Sequence, residues 1–407
     1  MKRREFLSTA ASVSIGSTLL NQSCGAEDQS LAKRRVAIIG HSGRGNYGHG
    51  LDTVWLQIPE AQIVGIADGN PAAVPKELKK LGIDKPIGFT DYHSMLEKLQ
   101  PEFVSIGPRH VDQHKEMILA AINAGAKGIY IEKPLCRSPA EFDSISSAAR
   151  SAGTKIAVAH RNRYHPAMPI IKAMIDEGKL GRLLEIRGRG KGDHRGGGED
   201  LWVLGSHEFN LMHYFAGKPV HCSALMMQDG HPVRPSDVQP GNEGLGPLAG
   251  DQVYARYMMA NGVLARYDSI ANDETSMSYS MQLIGSKGMV VIHIDQDPVA
   301  HFIPGNPYQV PNEPRRWIPI TSAGLGKAET NPQLIKQVHN HVAGVRDLIE
   351  AVDSDHQPLC SLDDGGVVIE MICAVFASHR GTGKAVLFPL EERENALAKF
   401  EKQSLGR

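Results

Sequence analysis

From Lys33 to about Ala159 the chain alternates short, unbroken apolar runs with amphipathic stretches. Residues 36–39, 63–67, 103–106, 128–131 and 156–159 are apolar on both faces and mostly β-branched, which is the pattern of strands covered by helices on both sides. Between them, stretches such as residues 114–123 and 140–151 carry helical periodicity and close on a glycine or a turn. The order βαβαβ predicts an α/β domain built on a doubly wound parallel sheet with right-handed crossovers.

Beyond Asn162 the rhythm changes. A helix over about 166–177 is stopped by Gly178 and followed by a strand over 182–189, a charged Gly-rich loop over 190–198 and a second helix over 201–215. Residues 229–250, rich in Gly, Pro and polar groups, read as a long loop. Strands over 252–259, 263–269, 279–284 and 289–294 then follow at short spacing, with Asn261-Gly262 and Ser286-Lys287-Gly288 as turns, and predict an antiparallel sheet. Helices over about 331–351 and 362–379 and a charged tail helix after Pro389 complete the chain. The resulting division is 1–26 as a leader, 33–160 and 161–390 as two α/β domains, and 391–407 as the tail.

Composition narrows the function classes. With 407 residues, 41% apolar and 22% charged, the chain has the balance of a globular protein of two or three domains. Its 44 Lys+Arg against 45 Asp+Glu leave no basic surplus for a nucleic-acid partner. Five widely spaced cysteines without a C-x-x-C pair write neither a disulfide framework nor a zinc site. His339-Asn340-His341, read on a helix, points its histidines to different faces, so no metal is expected. Cys136, two residues after Pro134, reads as a packing residue.

The N-terminus, Lys2-Arg3-Arg4-Glu5-Phe6-Leu7 before a mild apolar run, has the layout of a twin-arginine signal peptide, with cleavage near Cys24-Gly25-Ala26. The run is too short and too rich in Ser, Thr and Gly for a membrane span. Removing residues 1–26 deletes three Lys/Arg and one Glu, leaving 41 against 44 and a net charge of −3. The expected location is periplasmic. Export after folding demands that any soluble cofactor be held tightly.

Three features carry chemistry. The first strand ends in Gly40-His41-Ser42-Gly43-Arg44-Gly45-Asn46-Tyr47-Gly48, a turn expected to lead into a helix and to let backbone amides approach a pyrophosphate. As a G-x-G-x-x-G it has Gly40 and Gly45 in place and Ser42 in the middle position. Asp68, at the tip of the second strand, can bind ribose hydroxyls and repel a 2′-phosphate, which favours NAD over NADP; it also opens the turn Asp68-Gly69-Asn70-Pro71. Glu132-Lys133-Pro134 follows the fifth strand at the sheet's carboxyl edge, where desolvation could leave Lys133 able to accept a hydroxyl proton.

The glycine turn, Asp68, Gly107-Pro108-Arg109-His110 and Glu132-Lys133-Pro134-Leu135 occur in the order and spacing of the Gfo/Idh/MocA family, named for glucose-fructose oxidoreductase and inositol dehydrogenase. Arg163-Tyr164-His165-Pro166, Gly178-Lys179-Leu180-Gly181, Gly205-Ser206-His207 and Asp363-Asp364-Gly365 extend the resemblance over nearly the whole mature chain. The resemblance implies an N-terminal Rossmann domain holding NAD and a C-terminal α/β domain. The large, open, mostly antiparallel sheet of that second domain would mediate a homodimer or homotetramer. It implies Gly40, Ser42, Gly43, Arg44, Gly45, Asp68, Gly107, Pro108, Arg109, His114, Glu132 and Lys133 as cofactor contacts, and a Lys133-Pro134 bond that is often cis in relatives. Lys133 matches the catalytic lysine and His207 the histidine that contacts the reacting hydroxyl.

The chain also departs from the family. The acid usual four residues before the histidine is Val203 here, and the acid three residues after it is Asn210. Asp200 is the nearest replacement, although two helical turns (about 10.5 Å) separate it from His207; it otherwise reads as the cap of the helix at Leu201. The loop holding Lys191, Asp193, His194, Arg195 and Glu199 precedes that helix and could fold over a carbohydrate. Arg163, Lys191, Asp193, His194, Asp200, His207 and Asn210 are therefore the expected substrate contacts.

The leading expectation is an NAD-dependent oxidoreductase of a sugar, polyol or sugar derivative. Lys133 would take the hydroxyl proton while hydride leaves the same carbon for the nicotinamide. Two alternatives stand beside it: an NAD-dependent glycosidase or lyase that oxidises transiently and eliminates, and a non-catalytic carbohydrate-binding protein that keeps NAD as a structural element.

Overall fold

The computed structural model describes residues 33–83, 87–272 and 279–400. The expected leader, Cys24 and the last seven residues of the tail lie outside the described residues. Six strands form a parallel sheet: β1 (Arg34–Gly40), β2 (Ala61–Asp68), β3 (Gly88–Phe89), β4 (Phe103–Ile106), β5 (Gly128–Ile131) and β6 (Lys155–Val158), in the order β3-β2-β1-β4-β5-β6. Helices α1 (Val74–Lys80), α2 (Tyr92–Leu99), α3 (His114–Asn123) and α4 (Pro139–Ala152) join them. The strand order reverses between β1 and β4, which sets the ligand crevice of such sheets at their carboxyl ends.

One expectation fails here. No α-helix follows the glycine turn. Turns run from His41 to Asp52, and a 3-10 helix occupies Thr53–Gln57. Gly45, Gly48 and Gly50 take φ values of 90°, 61° and 92°, which an α-helix cannot continue through. The sheet face so exposed is covered from the other end of the chain. Val345, Leu348 and Ile349 of α9 (Val342–Asp353) share a buried cluster with Val36, Ile38, Tyr47, Trp55, Phe103 and Tyr130.

The second sheet has eleven strands. They are β7 (Leu183–Arg189), β8 (Pro219–Gln228), β9 (His231–Pro232), β12 (Gln252–Met259), β13 (Leu264–Ile270), β14 (Ser280–Gly285), β15 (Gly288–His293), β16 (Ala300–Pro304), β17 (Ile318–Thr321), β18 (Gly324–Leu325) and β19 (Val386–Leu387). A separate hairpin, β10 (Gln239–Pro240) with β11 (Pro247–Leu248), lies within the stretch read as a loop. Pairing is antiparallel except between β7 and β13. Strand β12 alternates as a half-buried strand should, with Val253, Ala255 and Tyr257 inward and Tyr254 and Arg256 outward. Strand β8 escapes the sequence reading because its buried positions include the small Cys222 and Ala224 while Val220 and Leu225 face out.

The remaining helices are α5 (Ala167–Asp176), α6 (Gly198–Val203), α7 (Gly205–Ala216), α8 (Pro332–His339) and α10 (Leu362–Arg380). Two helices expected to be continuous are broken. Residues 201–215 divide at Leu204, and residues 331–351 divide at Asn340-His341, where His341 has φ 63°. The expected tail helix is reduced, within the described residues, to a 3-10 turn at Ala396–Lys399 that packs on α10. Helix α10, buried along most of its length, packs on β8, α7, α4 and β6 and so touches elements of both sheets. Its start is secured by a capping box between Ser361 and Asp364.

Candidate active site

Strand β5 delivers Glu132 and Lys133 to the sheet's carboxyl edge, and the Lys133-Pro134 bond is cis. Glu132 is buried, and its carboxylate accepts hydrogen bonds from the amides of Lys133 (2.7 Å) and His49 (3.1 Å) and contacts His49 Nδ1. Burial alone would raise this acid; the His49 contact and the Lys133 charge bring it down to about 2. Lys133 is 7% exposed. Burial lowers its ammonium below the ordinary lysine range, against the opposing pull of Glu132, Glu243 and Asp295.

The Lys133 amine donates to the carbonyl oxygen of Val203 at 2.5 Å. That oxygen is available because the helix breaks at Leu204. The His207 amide, which an unbroken helix would turn back to Val203, bonds Leu204 O instead, at 2.9 Å. His207 lies in the first turn of α7. Its ring meets that of His160, just after β6, edge to face with centroids 5.6 Å apart. Both rings are buried, and burial followed by the Lys133 charge keeps both neutral, His160 down to about 3. Among the described residues, neither nitrogen of His160 has a hydrogen-bond partner, nor does Nδ1 of His207, nor either amide atom of Asn210 in α7. Buried polar groups are rarely left so. Together with Lys133 they form a buried cluster able to receive hydroxyl groups.

Sequence reasoning missed His160. A lone histidine after an apolar strand has no spacing signal; only the fold sets it against His207. Lys133 and His207, 74 residues apart in sequence, lie close enough for the lysine charge to act on the ring.

Other expected contacts have structural partners. Asp200 lies inside α6, whose cap residue is Gly197, so it is not the cap. Its carboxylate accepts from Ser269 Oγ (2.6 Å) and the Lys191 amide (3.0 Å), fastening the glycine loop to β13. Burial raises its pKa. Arg163 is paired with Asp364 at 3.1 Å, which also takes His213 at 3.0 Å. Asp193 binds Arg195 at 2.7 Å and Lys191 at 3.6 Å, while His194 is exposed.

The fit of a dinucleotide can be judged along the crevice. Gly43, at φ 89°, has nothing within 4 Å of where a Cβ would stand, so its outer face is open. Asp68 ends β2 beneath this turn and accepts from Ser42 N (3.0 Å), Ser42 Oγ (2.8 Å) and Asn70 N (2.9 Å). The far end of the crevice holds Lys133 with His160 and His207. The open face of Gly43 and the group at the far end suit a dinucleotide laid between them, whereas Asp68 is fully buried with its carboxylate already taken by Ser42 and Asn70. The cradle itself differs from the usual one: the amides of Gly43, Arg44 and Asn46 bond within the turn, and no helix N-terminus faces it. Gly40 lies beneath the Tyr47 ring, and Gly45 lies against the backbone of Arg109. Arg44 pairs with Asp112 at 2.6 Å and Arg109 with Glu243 at 3.5 Å. His114 bridges Pro108 O (2.7 Å) and Pro134 O (2.8 Å), tying the Gly107-Pro108 loop to the lysine loop.

A parallel sheet with this reversal, joined to a second α/β unit whose helix α7 brings His207 beside a buried lysine, defines the class of two-domain nucleotide-dependent oxidoreductases. Residues 34–160 match the oxidoreductase family with an NAD-binding Rossmann fold, and residues 172–387 match its C-terminal alpha/beta domain. The chain belongs to the Gfo/Idh/MocA oxidoreductase family, and NAD is the cofactor of its Rossmann domain.

Among curated relatives, the levoglucosan dehydrogenase of Pseudarthrobacter phenanthrenivorans is 24% identical over 257 residues, 57% of this chain and 65% of that protein. The NAD(+)-dependent scyllo-inositol 2-dehydrogenase of Bacillus subtilis is 28% identical over 196 residues, 46% of this chain and 55% of that protein. The chain thus spans somewhat under two thirds of these relatives' length. Among solved structures, a levoglucosan dehydrogenase complex with NADH and levoglucosan superposes with a TM-score of 0.69 at 20% identity, covering 88% of this chain and 99% of that one. An aldose-aldose oxidoreductase of Caulobacter crescentus complexed with glycerol gives 0.65 at 17% identity, covering 88% and 100%. Among the described residues no helix is long and apolar enough to cross a membrane.

Proposed function

We propose that this protein oxidises a secondary hydroxyl of a sugar, polyol or sugar derivative, with the Lys133 amine as proton acceptor. The observation that carries the reading is the buried Lys133 side chain, lowered in pKa by its burial and set beside two neutral histidines, with both ring nitrogens of His160 and Nδ1 of His207 lacking a partner among the described residues. NAD, when bound, supplies the two-electron acceptor; Gly43 and the 107–109 loop would hold it, and Asp68 would take a ribose hydroxyl by exchanging it for Ser42. Lys133 is anchored by Val203 O, so its nitrogen keeps a fixed place and presents a lone pair when neutral. His207 and His160 each offer one donor and one acceptor, the pairing that a vicinal diol requires. Exclusion of water by the surrounding apolar core keeps the lysine weakly basic. The levoglucosan and inositol dehydrogenases among the relatives support a cyclic polyol as substrate.

A second reading is favoured by Val203. A carboxylate at that position would hold Lys133 charged, whereas a carbonyl leaves it free to return the same proton, as a redox-neutral elimination or hydrolysis needs. Assembly through the outer face of the second sheet and twin-arginine export belong to the same proposal.

The test is to incubate as-purified protein with levoglucosan, inositols and chromogenic glycosides while following NADH absorbance and product mass. Net NADH with a ketone product supports the dehydrogenase. NAD-dependent glycoside cleavage without net NADH supports the second reading. Protein that cannot be loaded with NAD defeats both.

A further inference from the structure

A cavity of about 550 Å³ lies between α8, the turn before β16, β17 and the segment around residues 327–329. None of Lys133, His160, His207 or the glycine turn lines it, and its volume is that of a small-molecule site. Its apolar wall is made by Pro298, Pro319 and Pro332, with Val299, Ile320 and Ile335.

The polar groups around it are unequal. Its two acids are already engaged, Glu329 by the amides of Ser322 (2.9 Å) and Asn331 (2.7 Å) and Asp297 by His339 at 3.6 Å. Lys327 and Lys336, also in the lining, have no ion-pair partner among the described residues. His165, 4% exposed, completes the wall. Its Nδ1 accepts the Ala167 amide at 3.1 Å, so the ring proton sits on Nε2, which has no partner. Burial holds this ring neutral, near 4.

We infer that this cavity binds a flat hydrophobic monocarboxylate, an aryl or alicyclic acid, with its hydrocarbon body between the prolines and its carboxylate toward Lys327 and Lys336. The apolar walls take the body, and the two unpaired ammonium groups select the anion. This second site is independent of the sugar reading, and its failure would leave that reading intact.

Calorimetric titration of the full mature chain with naphthoate tests it. One saturable site per chain is expected, with naphthyl methanol, the uncharged analogue, weaker by about tenfold or more. Lys336→Glu, an exposed change that leaves the fold intact, should weaken naphthoate by about tenfold, and Ile320→Trp, which fills the cavity, should abolish binding. Absence of saturable binding, equal affinity for the uncharged analogue, or unchanged affinity in Lys336→Glu overturns the proposal. If Ile320→Trp does not fold, the Lys336→Glu and analogue comparisons still decide.

Discussion

Lys133 Nζ lies 2.5 Å from Val203 O, so a main-chain carbonyl stands where an acid was expected from the family pattern. A carbonyl can orient an amine without fixing its charge. A carboxylate would do both. The proton affinity of this lysine is therefore set mainly by its burial, with Glu132 as the opposing influence.

Lys133→Ala should reduce turnover by about 10²–10⁴-fold, the usual contribution of a positioned acid or base. NAD retention, measured by equilibrium dialysis, should be little changed. Turnover within threefold of wild type would remove the lysine from the mechanism.

Val203→Asp should restore a carboxylate beside the amine. An opposite charge favours the protonated lysine, so the rising limb of the pH–rate profile should move up by about one pH unit or more. An unmoved limb would show that Lys133 does not set it.

Two glycines of one turn should respond differently to alanine. Gly43 and Gly45 both have φ near 90°, but a Cβ on Gly43 meets nothing, while on Gly45 it would stand 2.2 Å from Arg109 N. Gly43→Ala should cost about 1–2 kcal/mol for the backbone alone. Gly45→Ala adds an overpacking cost of about 1–3 kcal/mol, read as a larger fall in Tm.

Acid stability should reflect the buried histidines. His160, His165 and His341 are depressed by burial to about 3, 4 and 4. In the unfolded chain they titrate near 6.5, so unfolding takes up protons in between. Their stabilising effect is complete above about pH 6.5 and is lost as pH falls through the folded values. The Tm should therefore begin to fall below pH 6.5, before ordinary carboxylates titrate. His160→Gln should flatten that decline in circular dichroism melts.

Asp364 receives Arg163 and His213 where the side chains of Arg163 and Asp364 are only 10% and 13% exposed. Asp364→Asn strands the guanidinium and should cost about 3 kcal/mol in chemical denaturation. A loss below 0.5 kcal/mol would mean that the pair is replaceable by water.

Much was legible in the linear pattern. Five of the six strands of the parallel sheet read directly because a strand buried on both faces must be apolar throughout, and its period needs no partner to be seen; the sixth, β3, is a two-residue edge strand too short to carry a pattern. Glu132-Lys133-Pro134 and His207 were legible as motifs, since each is a local string. The turn after β1 was misread because three glycines with positive φ stop a helix that the strand-turn pattern otherwise leads one to expect. The break at Leu204 was invisible for a different reason: the local sequence supports a helix on both sides, and the interruption is stabilised by Lys133 and by Tyr279, whose hydroxyl reaches Leu204 O at 3.1 Å, both remote in sequence.

By itself, then, the chain of residues determined the two-sheet plan and marked Lys133 and His207 as candidates, because local periodicity and short motifs are written where they act. Only the tertiary structure decided that His160 joins them, that Asp200 and Arg163 are held by structural partners, and that a carbonyl faces the amine. Those outcomes depend on which groups are deprived of water together, and burial is a property of the packed whole.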